Sequence, residues 1–200
     1  MKVVIASENH GKLLEIQAFF KSLPLEVVAQ SEFAVPSIEE TGLSFVENAI
    51  LKARHAAQYS QLPALADDSG LVVDALGGRP GIYSARYAGK QASMPDNIQK
   101  LLAETQSLND SERRAHFYCA IAFVRHAQDP VPIICQAQWD GQILKELRGT
   151  QGFGYDPIFY IPSLGCTAAE LPLAKKNQIS HRAQALSLFV SAFSQAFLVA

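Results

Sequence analysis

Hydrophobic residues recur along this chain at two spacings, one typical of strands and one typical of helices. Short apolar runs predict strands over Lys2–Ala6 and over residues 25–29. Between these runs, apolar residues three and four positions apart predict a helix over residues 12–22, with a face formed by Leu13, Ile16, Phe19 and Phe20. A strand, a short loop, a helix and a second strand in this order are typical of an α/β sheet.

The same spacings continue to the end of the chain. They predict further helices over residues 44–59, 95–104 and 180–198, with Ser180 as the N-cap of the last one. Further strands are predicted over residues 64–66, 71–73, 115–124, 131–139 and 142–147. Asp140-Gly141 indicates a hairpin between the last two strands. The predicted fold class is therefore α/β, with a mixed sheet and a strong antiparallel component.

The composition is that of a globular protein with one sizeable core. The chain has 200 residues, of which 48% are hydrophobic and 18% charged, and this excludes intrinsic disorder and a coiled coil. We predict a single domain over residues 1–200. The formal charge of −2 argues against a protein that coats nucleic acid. No apolar run approaches the roughly 18 residues of a membrane-spanning helix, and no secretory signal is recognisable, so we expect a cytoplasmic protein with neither membrane nor nucleic acid as partner.

The cysteines exclude two kinds of site. Cys119, Cys135 and Cys166 are odd in number and widely spaced, without a CxxC pair. This pattern predicts neither a disulfide framework nor a thiolate zinc site. Cys119 and Cys135 lie in apolar surroundings, where we expect them to be small buried side chains.

Polar residues concentrate first at Ser7-Glu8-Asn9-His10-Gly11-Lys12, between the first strand and the first helix. Backbone N–H groups at a helix N-terminus, with a lysine nearby, form an anion site suited to phosphate. The stretch is not a Walker loop, because it lacks the earlier glycine of that motif. An ordinary strand–helix loop is the alternative, and this stretch alone favours it.

A second concentration consists of Glu39-Glu40-Thr41-Gly42 and Asp67-Asp68-Ser69-Gly70. Carboxylates without histidine or cysteine suit a hard cation such as Mg²⁺. Adjacent residues of a strand point to opposite faces, so Asp67 and Asp68 cannot both face one pocket unless the strand has ended. A pair of polar turns is an equally good interpretation.

Two further stretches carry aromatic and basic residues. Residues 149–157 read GTQGFGYDP, in which Phe153 and Tyr155 offer faces for base stacking. A glycine-rich loop with aromatics in the core is the alternative. Residues 175–182 read KKNQISHR and gather hydrogen-bond donors before the last helix, and a solvated basic cap is the alternative.

Together these stretches describe a nucleoside triphosphate site, and the chain closely resembles a known family over essentially its whole length. It is similar to the inosine/xanthosine triphosphate pyrophosphatases, which act on noncanonical purine nucleotides. Six motifs in the right order carry the resemblance: SENHGK at 7–12, EETGLSFVENAILKA at 39–53, LADDSGLVVDALGG at 65–78, PGIYSARYAG at 80–89, GFGYDPIF at 152–159 and SHR at 180–182.

The resemblance implies an elongated two-lobed α/β fold around a mixed sheet, with the active site in the cleft between the lobes, and a homodimer. It also implies Mg²⁺-dependent hydrolysis of dITP, ITP, dXTP or XTP to the monophosphate and pyrophosphate, which cleanses the nucleotide pool. A related pyrophosphatase for pyrimidine or other modified nucleotides is one alternative. A nucleotide-binding sensor without turnover is another, although the intact set of Lys12, Glu40 and Asp68 argues against it.

The resemblance also assigns roles to individual residues. Glu40 and Asp68 would hold Mg²⁺, and Asp68 would be the base that activates water. The residues that would bind the triphosphate are Ser7, Glu8, Asn9, His10, Gly11 and Lys12, assisted by Lys52 and Ser69. The base and sugar pocket would be formed by Phe153, Gly154, Tyr155 and Asp156, and base recognition would be completed by Lys176, His181 and Arg182.

Two positions depart from the family pattern. Ser7 replaces the usual threonine but keeps the hydroxyl, and the Glu8 carboxylate is expected to point away from the phosphates.

Arg182 has donors and no acceptor, so it suits the 6-keto oxygen of a noncanonical purine and not the 6-amino group of adenine. Guanine also has a 6-keto group, and this argument does not explain its rejection.

Overall fold

Seven strands form one mixed sheet in the computed structural model, which describes residues 1–21 and 25–197. The strands are β1 (Lys2–Ala6), β2 (Glu26–Ala29), β3 (Ala64–Val73), β4 (Arg114–Val124), β5 (Ile133–Ile143), β6 (Phe159–Ile161) and β7 (Cys166–Thr167). Their order across the sheet is β2-β1-β3-β4-β5-β6-β7. β1 runs parallel to β2 and β3, whereas β5, β6 and β7 pair antiparallel. The predicted mixed α/β sheet with an antiparallel component is confirmed.

Five α-helices accompany the sheet within the described residues: α1 (His10–Phe20), α2 (Phe45–Ser60), α3 (Met94–Glu104), α4 (Leu173–Ile179) and α5 (His181–Phe197). α1 begins two residues before the predicted start, because the Asn9 side chain caps it by accepting a hydrogen bond from the Lys12 N–H at 3.0 Å. The predicted ends at Ser22 and Leu198 lie outside the described residues. The short helix α4 was not predicted, and Lys175 and Lys176 belong to it and not to the start of the last helix.

Two turn predictions are wrong. The sequence DDSG does not separate two strands, since residues 64–73 form the single strand β3. Asp140-Gly141 is not a hairpin turn either, because β5 runs straight through it. Gly141 serves a close approach: a Cβ atom there would lie 2.5 Å from the Tyr160 backbone oxygen and 2.6 Å from the Phe159 ring. The Asp-Gly sequence, which is typical of turns, here lies within a strand and allows a neighbouring strand to approach closely.

The chain folds into two compact units, each with its own hydrophobic core. The first unit comprises Met1–Asp68, Cys119–Ala137 and the chain from Arg182 onward, and its core includes Ile5, Ile16, Leu65, Phe123 and Phe189. The second comprises Ser69–Tyr118 and Gln138–His181, and its core includes Leu71, Phe117, Trp139, Ile158 and Phe159. The single domain over residues 1–200 stays a prediction.

The three cysteines are free thiols, and Cys119 and Cys135 are buried as predicted. Cys166 is half-buried and packs against the core of the second unit. Among the described residues, no helix is both long and apolar enough to cross a membrane.

Candidate active site

The Lys52 ammonium lies between the two carboxylates that the family resemblance predicts as metal ligands. Its Nζ atom lies 2.7 Å from Asp68 Oδ1 and 2.8 Å from Glu40 Oε1. α2 carries the lysine, β3 carries Asp68, and the segment before α2 carries Glu40. Burial lowers the pKa of Lys52, but Asp68 and then Glu40 more than compensate, so the pKa is raised and the side chain is an ammonium ion.

Asp68 has the properties of a proton acceptor near neutral pH. Its side chain is 7% exposed. Burial raises the pKa of Asp68 to about 6, although Lys52 and Lys12 favour the charged form and oppose this shift. A general base works best when its pKa lies close to the working pH. The environment of Asp68 is therefore suited to taking a proton from water.

The donor set around Lys52 fits one kind of metal ion. Glu40 and Asp68 supply only carboxylate oxygens, and both face the same ammonium group. In the described part of the chain, no group of three or more His, Cys, Asp or Glu residues is arranged so that it could hold a metal ion by itself. Mg²⁺ is commonly held by only one or two carboxylates, with water and substrate phosphates completing its octahedral coordination. Glu40 and Asp68 could therefore hold Mg²⁺ together with a phosphorylated substrate.

Asp67 makes different contacts from its neighbour, because β3 continues through both residues and adjacent side chains point to opposite faces. Lys12 Nζ lies 2.6 Å from Asp67 Oδ1, and Arg182 Nε lies 3.1 Å from Oδ2. The Cys119 thiol also donates to Oδ2, at 2.9 Å. Burial would raise the pKa of Asp67, but Arg182 and then Lys12 hold it well below its usual range. Asp67 is thus an ionised anchor for Lys12 and Arg182.

Arg182 lies in the interior of the first unit. Its side chain is 2% exposed, and it forms a second ion pair with the buried carboxylate of Glu15. Sequence reasoning placed Arg182 at the base and did not identify either of its two acidic partners. The role in base recognition stays a prediction, and the structure adds that the guanidinium is fixed by Asp67 and Glu15.

The predicted phosphate loop has the geometry of a helix N-terminus. The N–H of Asn9 donates to the Ser7 hydroxyl at 3.2 Å, and Asn9 caps α1. Glu8 is exposed, as is His10, whereas Lys12 lies in the first turn of α1. The partial positive charge of a helix N-terminus and the Lys12 ammonium together favour an anion.

The residues predicted to form the base and sugar pocket lie in the second unit. Two of them, Phe153 and Asp156, contact Lys176 or form a buried ion pair with it. Lys176 Nζ lies 2.6 Å from Asp156 Oδ2 and 4.6 Å from the centre of the Phe153 ring. The Phe153 N–H donates to the same Asp156 oxygen at 2.9 Å. Gly152 has a φ of +76°, and a Cβ atom there would lie 2.1 Å from this oxygen, so only glycine allows the approach.

Of the other predicted site residues, two have buried side chains and two are half-buried. Tyr155 is buried, and its hydroxyl donates to the Ser84 backbone oxygen at 2.9 Å. His181 is buried and stacks on Phe117, with ring centres 4.9 Å apart. Gly154 and Ser69 are half-buried, and Ser69 follows Asp68 on β3.

Sequence reasoning missed Glu15 and Asn48 as parts of the site and left the role of Asp67 open. Asn48 is fully buried, and its amide lies between Gly42 and Asp68. A signal was available for two of them: Asn48 is one helical turn before Lys52, and Glu15 is three residues after Lys12, so each shares a helix face with a predicted site residue. Asp67 could not be assigned until β3 was known to be continuous.

Two carboxylates around one lysine, beside a helix N-terminus that carries a second lysine, are suited to an enzyme that binds a phosphorylated substrate together with Mg²⁺. The family model described as the Ham1 family matches residues 3–192. The chain therefore belongs to the Ham1 family.

Individual relatives agree with this assignment. The dITP/XTP pyrophosphatase of Pectobacterium atrosepticum is 55% identical over 195 residues, which cover 98% of this chain and 99% of the relative. The structure of a HAM1 protein from Coxiella burnetii superposes with a TM-score of 0.91 at 51% identity and covers 98% of this chain and 99% of that one. The crystal structure of the nucleoside-triphosphatase/dITP/XTP pyrophosphatase from Mycobacterium abscessus superposes with a TM-score of 0.75 at 39% identity. The match covers 95% of this chain and 99% of that one.

Proposed function

We propose that this protein hydrolyses noncanonical purine nucleoside triphosphates, such as dITP and XTP, to the nucleoside monophosphate and pyrophosphate. The observation that carries the proposal is the Lys52 ammonium between the Glu40 and Asp68 carboxylates, in a chain of the Ham1 family. Relatives at 54–55% identity are named dITP/XTP pyrophosphatases. The activity removes nucleotides with an altered base from the nucleotide pool.

In the proposed reaction, a water molecule attacks the α-phosphorus and pyrophosphate leaves. Asp68 accepts the proton of the attacking water, and Lys12 and Lys52 stabilise the negative charge of the phosphates. Residues 7–12 hold the triphosphate, with the Glu8 carboxylate directed away from it and with Ser69 assisting. Glu40 and Asp68 would hold Mg²⁺, which when bound polarises phosphate oxygens and offsets their charge.

The base would be recognised by the residues that the family resemblance assigns to it. The Phe153 ring offers a stacking face, and the Asp156–Lys176 ion pair fixes the polar groups next to it. Gly154, Tyr155, His181 and Arg182 complete the set that the family resemblance assigns to the base and sugar. The family resemblance also supports a homodimer, and the substrate class supports a cytoplasmic location.

The first test is the identity of the products. We expect inosine triphosphate and Mg²⁺ to give inosine monophosphate and pyrophosphate as initial products, separated by chromatography without auxiliary enzymes. In H₂¹⁸O the label is expected in the monophosphate, because water attacks the α-phosphorus. Orthophosphate as the first product would contradict the proposal, and a panel that favours pyrimidine triphosphates would contradict the substrate class. Thermal stabilisation by nucleotide without turnover would instead indicate a sensor.

A second test concerns base recognition by Arg182. If its guanidinium donates to the 6-keto oxygen, Arg182→Ala loses a charge-assisted hydrogen bond of roughly 1.5–3 kcal/mol with inosine triphosphate only. The ratio of kcat/KM for inosine triphosphate to that for adenosine triphosphate should then fall by about ten- to a hundredfold. This ratio does not depend on the fraction of folded enzyme, so it tolerates a destabilised variant. An unchanged ratio would remove Arg182 from base recognition.

A further inference from the structure

Asn48 connects the segment that carries Glu40 to the carboxylate of Asp68. Its Oδ1 atom accepts a hydrogen bond from the Gly42 N–H at 2.8 Å, and its Nδ2 atom faces Asp68 Oδ2 at 3.5 Å. Lys52, one turn later on α2, binds the other oxygen of Asp68, Oδ1, at 2.7 Å. Both oxygens of Asp68 are therefore contacted by residues of one helix.

The start of α2 is itself fixed, so Asn48 is a rigid link. The Ser44 hydroxyl accepts a hydrogen bond from the Glu47 N–H at 3.2 Å. The Glu47 carboxylate in turn accepts from the Leu43 N–H at 2.9 Å. Asn48 is fully buried directly behind this cap, so its amide has little freedom to choose other partners.

Gly42 gives independent evidence that the approach to Asn48 is close. A Cβ atom at this position would lie 2.7 Å from Asn48 Oδ1 and 2.7 Å from Glu47 Cβ. The backbone of residue 42 can thus reach the amide only without a side chain. Glu40 is two residues away, so the position of its carboxylate depends on this contact.

We propose that Asn48 is a positioning residue that holds Glu40 and Asp68 in the arrangement required for metal binding and attack. This inference rests on the proposed pyrophosphatase function. Replacement of groups that orient metal ligands typically costs about 10–100-fold in metal affinity or activity. Neither Asn48 nor Gly42 needs to contact substrate to have this effect.

The chain offers a matched control in Asn97. It is also fully buried and follows the same type of helix cap, in which Ser93 and Asp96 bind each other at the start of α3. Its Oδ1 atom accepts from the Ala88 N–H at 2.7 Å, and its Nδ2 atom donates to the Ala85 oxygen at 3.1 Å. Like Asn48, Asn97 accepts one hydrogen bond through Oδ1 and donates one through Nδ2. Both partners of Asn97 are backbone groups, whereas the Nδ2 atom of Asn48 faces the Asp68 carboxylate.

The experiment compares Asn48→Leu with Asn97→Leu, since leucine keeps the approximate size and removes both hydrogen bonds. Binding of Mn²⁺ is measured by electron paramagnetic resonance in the presence of the α,β-imido analogue of inosine triphosphate. Both variants are expected to lose thermal stability. Only Asn48→Leu is expected to bind Mn²⁺ about 10–100-fold more weakly and to lose kcat by a similar factor. KM for inosine triphosphate should change little, because the phosphate and base contacts remain.

Gly42→Ala tests the same contact from the other side and should reproduce the Asn48→Leu result. Equal Mn²⁺ affinity and equal kcat in Asn48→Leu and Asn97→Leu would overturn the proposed role of Asn48. Absence of pyrophosphate release and of Mn²⁺ binding in the unmodified protein would instead overturn the proposed function. The two failures are therefore distinguishable.

Discussion

Asp68→Asn is expected to reduce turnover of inosine triphosphate by about 10²–10⁴-fold, which is the usual contribution of a general base. Asparagine keeps the size of the side chain and can still accept a hydrogen bond from Lys52, which lies 2.7 Å from Asp68 Oδ1. It cannot take a proton from water, and it lacks the charge that would attract Mg²⁺. Pyrophosphate release under saturating substrate measures the effect, and circular dichroism checks the fold.

Asp74→Asn provides the control for this variant. The Asp74 side chain is 60% exposed, and its salt-bridge partner His116 is 3.8 Å away. The substitution removes the same charge from the chain without touching the proposed site, so turnover should be unchanged. Turnover of Asp68→Asn equal to that of Asp74→Asn would exclude Asp68 as the base.

Arg182→Ala is expected to lower the free energy of unfolding by about 3–5 kcal/mol, because removing one partner of a buried ion pair leaves the other charge desolvated. In this case two carboxylates lose the same guanidinium: Asp67, with a fully buried side chain, and Glu15, whose side chain is 6% exposed. Lys12 would still contact Asp67. Urea denaturation followed by circular dichroism measures the loss.

Lys2→Ala is the matched surface control. Lys2 and Glu26 are 3.6 Å apart, and their side chains are 41% and 67% exposed. Exposed pairs of this kind contribute roughly 0.2–1 kcal/mol, since solvent screens both charges before and after folding. A loss for Arg182→Ala no larger than that for Lys2→Ala would mean that water reaches the Asp67–Arg182–Glu15 cluster.

The local elements were predictable because their signals lie within a few residues of each other. β1 has the bounds predicted from its apolar run, and α2, which was predicted over residues 44–59, spans Phe45–Ser60. The hairpin at Asp140-Gly141 failed because the same dipeptide that favours a turn also allows the Phe159 ring to approach a strand. Whether Asp140-Gly141 forms a turn or a close contact depends on where β6 lies, and the local sequence does not encode that position.

The candidate site shows the same division between sequence and tertiary structure. Sequence alone determined the α/β class and the order of the motifs, and the family resemblance predicts that Lys12, Glu40, Lys52 and Asp68 bind phosphate and metal. Only the tertiary structure decided that Asp67 faces away from Asp68, because this depends on the continuity of β3. It also decided that Arg182 pairs with Glu15, 167 residues earlier in the chain. Ion pairs form where distant elements converge and exclude water, and neither residue type nor spacing specifies that convergence.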